Sequence, residues 1–235
     1  MLLAASAPKL PAQQNHWGRY LDEPLTKHLP DGRNVLLLSD FRYVDPSGTL
    51  WIAPAGEKVN GASIPRALWT VIGGPFEGKY LYASILHDVA CKYKTRPSKE
   101  VHKMFYTAMM CSGENEFKAK TMYFAVLHFG PTFPQKSWVW EALKGKRYRL
   151  LNEQDVVLIR EWVRTSNPSL AQIEAVEDGQ LPLQMRPHAD GGLSYHDPAT
   201  GRLVASSVPE LDSQHQPTGR IQIYSSDGRL IYAPK

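Results

Sequence analysis

Three apolar-striped segments, set only a few residues apart, constrain this chain most. Lys79 to Tyr93 places Leu81, Ile85 and Val89 on one helical face, flanked by Tyr80, Ala83, Ala90 and Cys91, and ends before Arg96-Pro97. Ser98 opens the second segment as an N-cap, with Glu100 in its first turn. Its stripe is Val101, Met104, Phe105, Ala108 and Met109, and Gly113 stops it. Glu116 to Phe129 is the third, with Met122, Ala125, Val126 and Phe129 inward and Gly130-Pro131 at its end. Connections this short make consecutive helices antiparallel neighbours.

Strands precede the helices. Residues 34–44 are apolar at first and then alternate, with Phe41 and Tyr43 on one face, which predicts a strand. Asp45-Pro46-Ser47-Gly48 is a turn by composition, and Thr49 to Ala53 completes a hairpin. Glu57 to Asn60 predicts a short third strand, and Ala67 to Ile72 a short helix with Ser63 as its N-cap and Pro65 near its start. Residues 1–34 look irregular. The fold class expected is therefore α+β, a small antiparallel sheet followed by an antiparallel helical bundle.

Beyond residue 130 come a Trp138/Trp140 segment, a helix over 153–165 and a short helix over 169–176. Residues 193–205 and 221–233 then resemble each other: strand, Asp-containing turn, Gly-Arg-Leu, strand. They predict a β-hairpin appendage that needs a partner surface, since an isolated hairpin is marginal in water. The expected organisation is an irregular segment 1–34, a main domain 35–150, a helical connector 151–180 and an appendage 181–235.

Charge follows the same division. Residues 1–150 hold 20 Lys and Arg against 12 Asp and Glu, while residues 151–235 hold 7 against 11. The run Lys144, Lys146, Arg147 and Arg149 suggests an anionic surface as one partner and, more simply, a solvated linker. No nucleic-acid motif accompanies it. No apolar run reaches the ~20 residues that span a bilayer. Two cysteines, Cys91 and Cys111, are too few for a disulfide framework. Met1 to Ala5 is apolar but lacks a basic flank, so it is not read as a secretory signal. The expected location is the cytoplasm of the producing cell, with export by a signal-peptide-independent route left open.

His87-Asp88 is the sharpest chemical feature. With 8 His and 11 Asp in 235 residues, about 0.4 such pairs arise by composition alone, and His196-Asp197 is a second one, in a hairpin. The dipeptide thus means nothing by itself. Its place in an otherwise apolar helix gives it weight, because a buried carboxylate needs partners. Either Asp88 pairs with Arg66 or the Gly61-Ala62-Ser63 turn, with His87 a satisfied core imidazole, or the pair does chemistry. In the chemical case His87 is the base, Asp88 orients it or holds a metal, and Ser63 is a nucleophile or lines the site. Asn60, Arg66 and Tyr80 would touch substrate. A divalent metal on Asp88 and His102, with His87 and His128 within the same donor set, suits Zn, Mn or Fe. Cys91, one turn from His87, reads first as a small core residue.

Pro54-Ala55-Gly56, Asn60-Gly-Ala-Ser-Ile-Pro-Arg66, His87-Asp88, Met122-Tyr123 and Phe129-Gly130 together resemble a bacterial and phage family, domain of unknown function 1353, over roughly residues 35–130. In the family pattern an Asp precedes the Gly-Ala-Ser block and an acidic residue follows in the next helix. Asn60 and His102 stand in those places here. The resemblance implies a fold and a concentrated region but no reaction. Two functions are expected from all this. One is a hydrolase of a cell-envelope substrate, a lipid ester or peptidoglycan, in the setting of a secreted antibacterial effector or a phage. The other is a non-enzymatic phage or secretion-system module that docks a protein partner through the basic run and residues 181–235.

Overall fold

The computed structural model describes residues 16–31, 34–61, 63–72, 78–133 and 149–234. The fold is mixed α and β, as the patterning predicts. Six short strands come first: β1 (Arg19–Tyr20), β2 (Thr26–His28), β3 (Val35–Leu37), β4 (Phe41–Val44), β5 (Leu50–Ala53) and β6 (Lys58–Val59). They form two antiparallel three-stranded sheets, ordered β1-β4-β5 and β2-β3-β6.

Two details differ from the sequence-based expectation. The single strand expected over 34–44 bends at Leu38–Asp40 and serves two sheets. Its alternation runs on through the bend, with Val35, Leu37, Phe41 and Tyr43 all buried, so periodicity gives no sign of the break. Residues within 1–34 are also not wholly irregular. β1 and β2 are sheet-edge strands too short to show a period, and long-range contacts hold them. Tyr20 stacks on Phe41 with ring centroids 5.5 Å apart and donates its hydroxyl to Ala108 O at 2.8 Å.

Helix α1 (Arg66–Ile72) follows, then a 3-10 turn (Gly78–Tyr80), α2 (Leu81–Tyr93), α3 (Ser98–Cys111) and α4 (Glu116–Phe129). The stripe expected on α3 is buried throughout. Ser98, expected to cap α3, is instead its first helical residue; Pro97 takes the cap position without a side-chain bond. Asn115 caps α4 by accepting the Lys118 N–H at 3.3 Å. Every residue from Ala119 to His128 is buried, because α4 lies between α3 and α5 (Glu153–Ser166). Over this stretch the helix has no solvent face, so its buried polar groups must find partners. Lys120 reaches Asn167 Oδ1 and Glu116 Oε1, each at 2.9 Å. His128 reaches Asp178 Oδ1 at 3.0 Å and the Ile173 carbonyl at 2.9 Å.

Asn152 and Asp155 form a capping box at the start of α5. Arg149, the last residue of the basic run, grips Asp155 with two bonds of 2.6 and 2.9 Å. It is thus committed to an internal ion pair; Lys144, Lys146 and Arg147, like Trp138 and Trp140, lie outside the described residues. After α6 (Leu170–Glu174), the strands β7 (Gln184–Pro187), β8 (Leu193–His196), β9 (Leu203–Leu211), β10 (Pro217–Ser225) and β11 (Leu230–Tyr232) form one antiparallel sheet. The two expected hairpins, β8–β9 and β10–β11, are joined within it through the β9–β10 pairing. The sheet finds its partner surface on the body: β9 and β11 pack on α5, and Val204, Ala205 and Ile223 join the common core. No described helix is long and apolar enough to cross a membrane.

Candidate functional site

The central polar cluster begins with a loop. After β6 the chain turns at Gly61, whose φ of 68° lies in the left-handed region that glycine adopts without strain. This turn aims successive backbone N–H groups at α2. Asp88 collects them: Oδ2 accepts from Asn60 N at 2.8 Å and Gly61 N at 2.6 Å, and Oδ1 from Ser63 N at 3.2 Å. The Ser63 hydroxyl donates to Oδ1 as well. Asp88 thus clamps the Asn60–Ser63 loop onto the helix. Of the two structural roles expected for it, the turn is the one found. Arg66, the other expected partner, is exposed on α1 and supplies none of these bonds.

The sequence predicts Ser63 as the cap of α1. Its hydroxyl instead faces α2, touching Asp88 and lying 3.0 Å from His87 Nδ1. From His87 the contacts continue inward. His87 Nε2 is 2.8 Å from Nδ1 of His102 on α3, and His102 Nε2 is 3.1 Å from the Pro131 carbonyl. Cys91 lies one helical turn beyond His87, its Sγ 3.7 Å from Nε2. Phe105 packs on the His87 ring at 4.6 Å between centroids. His87 has no exposed surface, His102 keeps 1%, Cys91 7% and Ser63 8%, so the cluster is sealed from solvent.

That seal sets the electrostatics. Burial, then the neighbouring His102, holds the His87 imidazole well below its usual pKa. Burial lowers His102 to about 4. The Cys91 thiol is pushed up to about 12, by burial first and then by the Asp88 charge. At neutral pH the two imidazoles are neutral, and a lone Cys91 is an unreactive thiol.

Of the residues singled out from sequence, Ser63, His87, Asp88 and His102 come together, with Asn60 joining through its backbone N–H. Tyr80 is buried at the start of α2 with the Lys118 ammonium 4.3 Å from its ring centroid, outside this chain of contacts. His128 belongs to its own pair with Asp178. Within the suggested metal pair, Asp88 turns to the loop while His102 turns to His87. The donor atoms that converge, all within 4.8 Å of one another, are those of His87, Cys91 and His102. A cysteine in an apolar helix carries no local mark of its neighbours, so the sequence reads Cys91 as a core residue. Its i, i+4 spacing from His87 was the one available signal.

Comparison with known proteins places this region but assigns it no activity. The chain is 46% identical over 110 residues to the uncharacterized protein y4jT of Sinorhizobium fredii, covering 47% of this chain and 33% of that relative. It is 42% identical over 101 residues to uncharacterized protein y4iH of the same organism, covering 43% of this chain and 42% of that relative. The chain thus spans well under half the length of either. No solved structure matches it. A family model described as "Protein of unknown function (DUF1353)" matches residues 35–126. The match runs from β3 through most of α4 and includes Asp88 and the loop it holds.

Proposed function

We propose that this chain is a protein-docking module in which the DUF1353 segment is a rigid body and the C-terminal sheet receives an extended segment of a partner polypeptide. One observation carries this. β7 is an edge strand with all four residues exposed, and it borders a cavity of about 690 Å³. Trp162, Val176, Leu181 and Leu183 line that cavity, and Gln184 belongs both to its wall and to β7. A free edge offers backbone hydrogen bonds, and an adjacent apolar hollow takes alternate side chains. The sealed state of the Ser63–His87–His102 cluster supports a scaffold role for the other half.

The register shows how to test this. The turn at 188–192 closes with His188 N donating to Gly192 O at 2.8 Å. Antiparallel alternation from that pair sends Arg186 toward β8 and leaves the Met185 N–H and carbonyl on the free edge. Short random peptides displayed on phage are panned against the full chain. Retained peptides should alternate apolar and polar residues, and should lose about tenfold in affinity, or ~1.4 kcal/mol, against Met185→Pro. Proline there spares the β8 pairing and is tolerated on an edge. Failure to enrich any peptide, or equal binding by the variant, overturns the proposal.

A hydrolase of lipid esters or peptidoglycan is the second proposal, and the 3.0 Å contact between Ser63 Oγ and His87 Nδ1 favours it. It ranks behind because no reacting atom reaches a buried hydroxyl without the loop lifting off Asp88. A fluorophosphonate probe decides it. Labelling of Ser63 that is lost in His87→Ala, together with turnover of either substrate, supports hydrolysis; an unlabelled wild-type chain removes it.

A further inference from the structure

The contacts within the buried cluster do not balance. Four of them run in series: Asp88 to Ser63, Ser63 to His87, His87 to His102, and His102 to the Pro131 carbonyl. Each needs one hydrogen. The two ends, a carboxylate and a carbonyl, only accept. The Ser63 hydroxyl brings one hydrogen and each neutral imidazole one more, which leaves one contact unfilled. With Ser63 donating to Asp88, the single proton of His87 fills either the Ser63 or the His102 contact; in the tautomer that frees Nε2 for a ligand, His87 donates from Nδ1 to Ser63. His102 likewise donates from Nε2 to Pro131. The lone pairs of His87 Nε2 and His102 Nδ1 then face each other across 2.8 Å, with Cys91 Sγ 3.7 Å from His87 Nε2. A fourth proton would place an imidazolium in a site sealed from solvent, at high cost.

We infer that His87 Nε2, His102 Nδ1 and Cys91 Sγ form a binding site for a borderline-soft divalent cation of the zinc class. Two imidazoles and a thiolate are the donor set that zinc prefers to calcium or magnesium. Zinc at ~2.0–2.1 Å from nitrogen and ~2.3 Å from sulfur holds N–N pairs ~3.3 Å and N–S pairs ~3.6 Å apart. The sulfur is already so placed against His87 Nε2 and lies within 4.8 Å of the His102 donor, and the imidazoles need to part by about half an ångström. The outer contacts also fit. Ligating histidines donate their other N–H to an acceptor, and here His87 has Ser63 backed by Asp88 while His102 has Pro131. On binding, the Cys91 proton leaves to solvent. The thiolate and the Asp88 carboxylate, two hydrogen bonds from His87 through Ser63, together match the charge of a divalent ion. The ion joins α2 to α3, and through Ser63 it ties both to the Asn60–Ser63 loop. This site is independent of β7, so its failure would leave the docking proposal standing, and the reverse.

The test uses the full chain, stripped with a chelator and titrated with Co²⁺ and then Zn²⁺. One ion per chain should bind, and Co²⁺ should give a near-ultraviolet thiolate-to-cobalt charge-transfer band. Cys91→Ser should abolish the band. Ser63→Ala should keep it while weakening zinc about 10- to 100-fold, as loss of an outer-shell partner does. If Cys91→Ser fails to fold, the wild-type chain decides: chelation must lower its Tm and zinc must restore it. No stoichiometric binding, a cobalt spectrum without the thiolate band, or a band that survives in folded Cys91→Ser overturns the site.

Discussion

The chain contains two His-Asp dipeptides, and they do opposite things. Asp88 reaches across more than 20 residues of sequence to hold three backbone N–H groups of another element. Asp197 works mostly at home. It accepts from Ala199 N at 3.0 Å and the Thr200 hydroxyl at 2.9 Å within its own turn, and from the Ser166 hydroxyl of α5 at 2.8 Å. The histidines differ more. His196 Nδ1 faces the Gly201 carbonyl at 3.1 Å and Nε2 faces the Ser194 hydroxyl at 3.1 Å, while that hydroxyl's other neighbour, the Arg186 carbonyl, is as far as 3.4 Å, so one ring proton and one hydroxyl proton fill the two short contacts. His87 faces a second imidazole and a thiol, and the same count fails. The dipeptide is therefore no unit of function. What surrounds each ring decides whether it is a finished structural group or one that still lacks a partner.

The largest expected effect sets the two carboxylates against each other. Asp88→Ala removes the acceptor of three backbone N–H groups and of the Ser63 hydroxyl at once, and should destabilise by about 3 kcal/mol. Asp197→Ala frees two hydroxyls that can turn elsewhere and one N–H, and should cost about 2 kcal/mol. Urea unfolding of both variants measures the difference. A loss under about 1 kcal/mol for Asp88→Ala would mean that the loop is held by its own packing.

Acid sharpens the same contrast. Burial pushes the Asp197 carboxyl up, but the Ala199 N–H and the Ser166 and Thr200 hydroxyls more than offset it, leaving it below the ordinary 3.8. A depressed folded value means that the unfolded chain binds the proton first as pH falls. The stabilisation is complete above the unfolded value and disappears as pH drops through 3.8 toward the folded one. The stability gap between wild type and Asp197→Asn should therefore be constant near pH 6 and close progressively below about pH 4. A gap that stays level down to pH 2 would show that the contribution of Asp197 does not depend on its charge.

These two sites also show what the sequence could and could not reveal. The helices were legible because their stripes repeat every turn, and the buried positions of α3 were read correctly from Val101 to Met109. The turn chemistry around Asp197 was legible because two of its partners, Ala199 and Thr200, lie within three residues; the bond from Ser166 was not. The role of Asp88 was legible only as a pair of alternatives, since its partners come from a loop more than 20 residues away. His102 could be linked to the site through the family pattern, but not its meeting with His87, which depends on how α2 and α3 rotate against each other. The bend at Leu38–Asp40 was hidden for a related reason: the inward positions keep their parity across it, and only the identity of the pairing strands differs.

The smallest expected effect concerns the turns that recur in both regions. Hairpins at 45–49, 188–192, 212–216 and 225–229 close in the same way. The first residue's N–H donates to the fifth residue's carbonyl, and the fourth residue's N–H donates back to the first. The fourth residue is left-handed in each: Gly48 at φ 83°, Gly191 at 82°, Gly228 at 81°, and His215 at 58°. Histidine tolerates this region better than most side chains but still carries a Cβ that crowds the backbone there. His215→Gly removes that crowding and gives back part of the gain as extra freedom in the unfolded chain. The net should be a stabilisation of about 0.5 kcal/mol, while Gly228→Ala, in open space, should cost about 1 kcal/mol from backbone strain alone. Paired urea curves for the two variants check both signs. If His215→Gly instead destabilises, the imidazole must contribute contacts at the tip of the β9–β10 ribbon, and that tip would join β7 as part of the surface a partner meets.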